Sequence, residues 1–314
     1  MMAFLKQEED SYYPSWFVGL GVAGIVYVLI IAFGIYKVHQ AFVDWQLQAI
    51  QRVRLITRKA FAYQKMHATP EVRLRYYGYR KGLNVDTLLE GGKTPLMLAA
   101  IAGDSTGVYL LLAKGADFTK QDITGQTPLH YALAQSSYEA VKLLAQEPAI
   151  NMADNYQMTP LLRAIRENKL SYAKLLLQRG AQANVQNRDG MSTLHLAVAR
   201  GMNSLLEELI QKGANVNGLN KVGSSPLHVA AKEGNLEATK ILVEKGANLN
   251  LQNQYGLTPL HYAVEYEKIP VIEFLLQRGA SVYIKDKNEQ TPLMLAKKKN
   301  NVQIIELLQE KLRK

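Results

Sequence analysis

The strongest constraint on this chain is a tetrapeptide that keeps returning. Thr94-Pro95-Leu96-Met97 recurs as Thr127-Pro128-Leu129-His130, Thr159-Pro160-Leu161-Leu162 and Ser192-Thr193-Leu194-His195. It then appears as Ser225-Pro226-Leu227-His228, Thr258-Pro259-Leu260-His261 and Thr291-Pro292-Leu293-Met294. The steps are 33, 32, 33, 33, 33 and 33 residues. Recurrence at such a period marks a stack of short supersecondary units, none of which buries its apolar face alone. The residue types say what each unit is. Thr or Ser offers a side-chain oxygen to the free N–H groups of a helix start. Pro at the first helical position loses no hydrogen bond. Ala99-Ala100 and Ala230-Ala231 are small enough for a neighbouring helix to approach closely. Gly103, Gly201 and Gly234 turn the chain between two antiparallel helices, and pairs such as Leu175-Leu176 bury the second helix. Gly115-Ala116, Gly180-Ala181, Gly213-Ala214, Gly246-Ala247 and Gly279-Ala280 follow it. Their glycines end that helix in the left-handed conformation that only glycine adopts cheaply.

On these residues the chain resembles the ankyrin repeat family, with seven units over 91–314, about 70% of its 314 residues. The resemblance implies an all-α ankyrin-repeat solenoid: helix-turn-helix units joined by β-hairpin loops. Gly82-Leu83-Asn84-Val85-Asp86 looks like the tail of a degenerate unit before the first. The departures carry their own expectations. Pro148 replaces the helix-ending glycine in the unit that is one residue short, so the second-to-third junction should be irregular. Gln157 and Glu289 replace the glycine of the hairpin tip. Asn168 and Asn300 replace the inter-helix glycine tolerably, Ser136 and Glu267 less well. Lys297, Lys298, Lys299 and Asn300 give the last unit the polar character of a terminal cap.

Residues 1–15 form a short N-terminal segment, and residues 16–36 read as a transmembrane helix. From Trp16 to Tyr36 there is no charge, and twelve of the twenty-one residues are Leu, Ile, Val or Phe. As a helix the stretch is about 32 Å long, against roughly 30 Å of bilayer hydrocarbon. Gly19, Gly21 and Gly24 also spell G-x-G-x-x-G, with Asp44 beyond them. A dinucleotide loop needs a buried strand before it and an amphipathic helix after it. Pro14 leaves little room for the strand, and the helix that follows is apolar all round. A cleaved leader is disfavoured by the acidic start and the absence of an A-x-A-like site. Gly19 and Ala23 form a small-xxx-small pair, which suggests a weak homodimer through this face. Residues 1–36 carry one Lys and three acids, whereas 37–91 carry ten Lys or Arg and four acids. The positive-inside rule then places the N-terminus outside and the repeats in the cytoplasm, at a bacterial inner membrane or, for a secreted effector, a host membrane.

Residues 37–90 form a basic juxtamembrane connector and N-terminal cap. Residues 38–67 read as a helix with Ala49, Ile50, Val53 and Ile56 at helical spacing. Lys37, Arg52, Arg54, Arg58 and Lys59 are candidates for contact with anionic lipid, where each basic side chain contributes about 1 kcal/mol. The alternative is a solvated helix packed on the repeats, and the two are compatible. In residues 71–81 Tyr76, Tyr77 and Tyr79 interleave with Arg and Lys, a pattern found in nucleic-acid binding. Beside a membrane span a packing role is favoured, and no nucleic acid is expected.

No catalytic, cofactor or metal site is expected, and the chain reads as a binding protein rather than an enzyme. It has no cysteine, which removes disulfides, thiolate metal sites and cysteine nucleophiles. "GGKTP" at 91–95 echoes a phosphate loop, but Thr87 stands where the first glycine is required. His130, His195, His228 and His261 share one slot of the repeat. Stacked elements sit about 8–10 Å apart whereas zinc needs nitrogens near 2 Å, so these rings cannot share an ion. The family resemblance makes them structural hydrogen-bonding residues.

The resemblance also implies that a protein partner docks on the concave face made of hairpin tips and first helices. Carried onto this chain, the tips are Ile123, Gln126, Tyr156, Met158, Arg188, Met191, Lys221, Val222, Tyr255 and Leu257. The first helices add Arg166, Arg200, Lys232 and Tyr266, with Glu167 and Glu233 beside them. Tyr, Met and Arg are types that carry interface energy, and the mixed apolar and basic character suits an acidic partner. The expectation is a membrane-tethered scaffold. The alternatives are a regulatory subunit of a membrane enzyme or transporter, or a bacterial effector acting at a host membrane.

Overall fold

The computed structural model describes residues 69–82 and 84–313. The expected span at 16–36, its Gly19 and Ala23, and the basic residues Lys37, Arg52, Arg54, Arg58 and Lys59 lie outside the described residues. Among the described residues no helix is long and apolar enough to cross a membrane. Residues Thr69–Lys314 form one compact unit.

That unit is a stack of helix pairs. The first helices are α2 (Pro95–Ile101), α4 (Pro128–Ala134), α6 (Pro160–Arg166), α8 (Thr193–Ala199), α10 (Pro226–Glu233), α12 (Pro259–Glu265) and α14 (Pro292–Lys298). The second helices are α3 (Ser105–Ala113), α5 (Tyr138–Leu144), α7 (Leu170–Gln178), α9 (Asn203–Gln211), α11 (Leu236–Glu244), α13 (Ile269–Gln277) and α15 (Val302–Arg313). A short leading helix, α1 (Pro70–Tyr76), packs on α3 in the place of a second helix. First helices pack on first helices and second on second, unit after unit.

The recurring tetrapeptide does what its chemistry dictates. The Thr94, Thr159, Ser192, Thr258 and Thr291 hydroxyl oxygens accept from the backbone N–H three residues on, at 3.3–3.4 Å. Six units put Pro at the first helical position. The fourth has Thr193, whose buried hydroxyl instead donates to the Ala183 carbonyl at 2.6 Å. The leucine after it is fully buried at Leu96, Leu129, Leu194, Leu227 and Leu260. Burying such a side chain contributes about 1.5–3 kcal/mol, and the core runs unbroken from Leu74 to Leu308.

Three hydrogen-bond rows join the units. In the first, the histidine Nε2 donates to the next unit's carbonyl: His130 to Met158 at 2.9 Å, His195 to Ser224 at 2.8 Å, His228 to Leu257 at 3.0 Å, and His261 to Gln290 at 3.1 Å. Because Nε2 donates, Nδ1 accepts, and it faces the N–H and hydroxyl of the Thr or Ser that starts the helix. Both ring nitrogens are used, so none is left for a metal, in agreement with the structural reading. In the second row, backbone N–H groups of one tip donate to the previous tip. Arg188 donates to Tyr156 at 3.0 Å, Gln254 to Val222 at 3.0 Å and Lys287 to Tyr255 at 3.0 Å. In the third, the Asn151, Asn184, Asn217 and Asn250 side chains accept from N–H groups of the following unit.

Asp86 fills that third row's slot ahead of the first unit, accepting from Asp117 N–H at 3.0 Å. This is the degenerate unit expected from Gly82–Asp86. Its helix is clamped to the first unit by Asp104, which accepts from Tyr77 Oη at 2.8 Å and from Arg73 at 3.1 Å. Burial and the Asp104 carboxylate push the Tyr77 hydroxyl well above its usual pKa. Of the aromatics of 71–81, Tyr77 is buried and Tyr79 packs on the core, as expected, whereas Tyr76 is 59% exposed.

The second-to-third junction is irregular. Helix α5 stops at Leu144, and the chain re-forms as one 3-10 turn at Ala149–Asn151 after a cis bond to Pro148. Thr119 occupies the third-row slot there. Side-chain bonds substitute: Arg163 to Gln126 at 2.9 Å, Tyr172 to the Ser136 carbonyl at 2.6 Å, and Lys169 to the Leu133 carbonyl.

One fold expectation is corrected. The loops are not strand pairs; the described residues hold no strand, only an isolated bridge between Gln186 and Ser192. Each tip is a tight turn closed by two backbone bonds, for example Asn253 N–H to Leu257 O at 3.0 Å and Gly256 N–H to Asn253 O at 2.9 Å. Other N–H groups of the tip bond to its own Asp or Asn side chain or to a neighbouring tip instead of along a hairpin.

Candidate protein-binding face

The tips are built by one Asp or Asn per unit. The Asp122, Asp154, Asn187, Asn220, Asn253 and Asp286 side-chain oxygens each accept from backbone N–H groups two and four residues on. This folds the turn and throws the next two side chains outward. Those are the exposed Ile123, Tyr156, Arg188, Lys221, Val222 and Tyr255. Four of them are large and apolar at the surface: Ile123 is 74% exposed, Tyr156 62%, Tyr255 52% and Val222 36%.

The slot just before the helix behaves differently from expectation. Met158 is 2% exposed and belongs to the core. Met191 and Leu257 are half-buried, and the Met191 sulfur receives the Asn220 amide at 3.5 Å. Gln126 is half-buried and held by Arg163. For Met158 and Leu257 the reason is the first hydrogen-bond row: the carbonyl faces the histidine of the preceding unit, which turns the residue inward. Gln126 and Met191 follow units with Met97 and Leu162 in the histidine slot and are held by side-chain contacts with Arg163 and Asn220. Met158 is withdrawn from the binding set, while Gln126, Met191 and Leu257 border the face.

First-helix ends complete the surface. Arg166, Arg200, Lys232 and Tyr266 are all exposed. Tips and helices meet: Asn253 donates to the Tyr262 hydroxyl at 3.1 Å and Tyr131 donates to Asp122 at 2.5 Å. Lys232 of the fifth unit sits over the Tyr266 ring of the sixth, 5.5 Å from its centroid. Tyr262 stacks on Tyr266 at 6.3 Å with planes 6° apart. This cluster was missed from the sequence, where Tyr262 occupies an ordinary helical position; its spacing of four from Tyr266 was the available signal.

Electrostatically the face divides into spent and unspent charges. Burial pushes the Glu167 carboxyl up, but hydrogen bonds from Lys169 and Arg163 outweigh it and hold it below the usual range. Burial likewise raises the Asp122 carboxyl, and bonds from Thr124, Tyr131 and the backbone overcome it. Lys299 pairs with Glu265 at 3.3 Å. Among the described residues Arg166, Arg188, Arg200, Lys221 and Lys298 form no ion pair. No group of three or more His, Asp or Glu among the described residues is placed to hold a metal ion.

Comparison with known proteins agrees with this architecture. The family model described as "Ankyrin repeats (3 copies)" matches residues 96–187 and 194–286. Human Rabankyrin-5 is 38% identical over 111 residues, covering 34% of this chain and 9% of that protein. The phosphocholine transferase AnkX of Legionella pneumophila is 35% identical over 132 residues, covering 38% of this chain and 13% of that one. The match thus spans about a tenth of the length of these relatives. Among solved structures, the ankyrin repeat domain of Bcl-3 superposes with a TM-score of 0.62 at 28% identity, covering 70% of this chain and 100% of that one. With that family model covering more than half of the sequence, and its recurring helix pairs, caps and tips all in place, the chain belongs to the ankyrin repeat family.

Proposed function

We propose that this chain is a membrane-tethered, non-catalytic scaffold that binds a protein partner on the face made of tips and first-helix ends. The observation that carries the binding half is the row of outward tips, in which Ile123, Tyr156, Val222 and Tyr255 remain exposed beside unpaired cations. Isolated exposed apolar residues are ordinary, but a contiguous set rimmed by charge marks an interaction surface. The tether rests on the uncharged stretch from Trp16 to Tyr36. The basic residues that follow it place the repeats in the cytoplasm, with Lys37, Arg52, Arg54, Arg58 and Lys59 near anionic headgroups. Gly19 and Ala23 let two spans approach, so the scaffold self-associates weakly. Anchoring raises the local concentration of the face at the membrane.

Carbonate extraction tests the tether: the chain should stay in the membrane pellet, and release into the supernatant overturns it. Alkaline phosphatase fused after Lys314 tests orientation in bacteria. An inactive fusion is expected; an active one moves the repeats outside the cytoplasm.

A further inference from the structure

We propose that the partner presents an extended acidic segment in a three-residue register, with acidic side chains opposite the fourth, fifth and seventh units and an apolar or aromatic one opposite the sixth. The proposal deepens the binding reading above and rests on it.

Unspent positive charge recurs in the fourth, fifth and seventh units. The fourth unit offers Arg188 and Arg200 against Asp189, and the fifth offers Lys221 and Lys232 against Glu233. The seventh offers Lys287 and Lys298, with Lys299 already paired to Glu265. The sixth breaks the pattern in both rows: Gln254 stands at the tip and Glu265 on the helix. In their place it carries Tyr255, Tyr262 and Tyr266, with Tyr255 52% and Tyr266 45% exposed. The surface is basic, basic, aromatic, basic along the stack.

The spacing selects the ligand's conformation. Stacked helices repeat at about 8–10 Å. A chain in the extended polyproline II conformation advances about 3.1 Å per residue with three residues per turn, so three residues match one unit. A helical ligand at 1.5 Å per residue needs about six residues per unit, and six residues make about 1.7 turns, which leaves successive side chains roughly 120° apart around the helix and off the face. A polyproline II segment completes one turn every three residues, so every third side chain returns to the same face opposite successive units. The tyrosines of the sixth unit suit an apolar or aromatic residue: Tyr255 stands exposed at the tip, and the exposed part of the Tyr266 ring, with Lys232 over it and Tyr262 stacked beside it, offers an aromatic surface for it to pack on.

The test uses the full chain in detergent micelles and fluorescence anisotropy of labelled peptides. One peptide carries acids at its first, fourth and tenth positions and phenylalanine at its seventh; a second carries the reversed order, since either chain direction fits. A control has the same residues at every second position. At least one register peptide should bind about tenfold or more tighter than the control, about 1.4 kcal/mol. Arg200→Glu with Lys232→Glu should weaken it by a similar factor. Tyr266→Ala should remove the preference for phenylalanine over serine at the aromatic position. Equal binding of register and control peptides overturns the register, as does indifference to the charge reversal. So does tighter binding of a single-stranded oligonucleotide of equal charge. If no peptide binds while a photo-crosslinker at Tyr255 still captures a protein, the acidic segment is rejected and the face stands. If the crosslinker also fails, the binding reading falls with it.

Discussion

His195 Nε2 donates to the Ser224 carbonyl at 2.8 Å across the boundary between the fourth and fifth units. The same atom pair recurs at three other junctions. It makes the histidine slot a joint between units, and the third unit shows the slot without it: Leu162 is there, fully buried.

That natural leucine defines a clean variant. His195→Leu should keep the packing, leave the Ser224 carbonyl with only its bond from Asn220 N–H, and take the acceptor from the buried Ser192 N–H, which costs about 1–3 kcal/mol. His195→Ala adds a cavity and should cost about 2–4 kcal/mol. Urea unfolding of the two variants measures both. A leucine variant as stable as the parent would remove the joint from the account.

Acid should weaken the stack, and the direction follows from the rings. Burial holds His228 down to about 4 against an ordinary 6.5, with His195 and His261 adding to it and the Leu257 carbonyl opposing. Burial also lowers His130, His195 and His261. Between pH 6.5 and about 4 the unfolded chain therefore takes up protons that the folded chain refuses. Stability is complete above 6.5 and is lost as the pH falls, by up to about 3 kcal/mol for His228 alone. Asp122 and Glu167, whose folded values are depressed, lose their contribution in a lower window with the same sign. The urea midpoint should drop between pH 7 and pH 5, and an unchanged or rising midpoint contradicts the assignment.

Two glycines with the same backbone should respond differently. Gly246 has φ +89° and open space around it, so Gly246→Ala costs only the left-handed conformation, about 1–2 kcal/mol. Gly256 has φ +75°, and an added Cβ would lie 2.8 Å from the Lys287 nitrogen. Gly256→Ala should cost about 2–4 kcal/mol. Thermal melts that rank the two in the opposite order would refute the tip-to-tip packing.

The reverse change should stabilise. Ser136 and Glu267 adopt φ 56° and 54° in the turn between helices where three other units use glycine and two use asparagine. Ser136→Gly and Glu267→Gly should each raise stability by about 0.5–1 kcal/mol, the relief of strain exceeding the extra freedom of the unfolded chain. A loss in both melts would show that the side chains are held there by contacts worth more than the strain.

Most of this was readable because each repeat uses one residue type for one task. Thr-Pro starts a helix wherever it occurs, and the Pro148 substitution announced its own irregular junction. What escaped was direction within a loop. Met158 and Tyr156 are two residues apart in one tip, yet one is core and the other is 62% exposed. The difference lies in a partner from another unit, His130, which claims the Met158 carbonyl. Likewise the Tyr262–Tyr266 stack and the Lys232 that covers it come from two units. Pattern within a repeat is local, whereas the composition of the face is set by neighbours.

The most direct test of the central claim compares two crosslinking positions in the full-length chain in cells. A photo-reactive residue at Tyr255, on a tip, is set against one at Tyr109, equally exposed on the second helix α3. The account predicts that Tyr255 captures a defined protein partner and Tyr109 does not. Capture at Tyr109 with none at Tyr255 would place the binding surface on the other side of the stack.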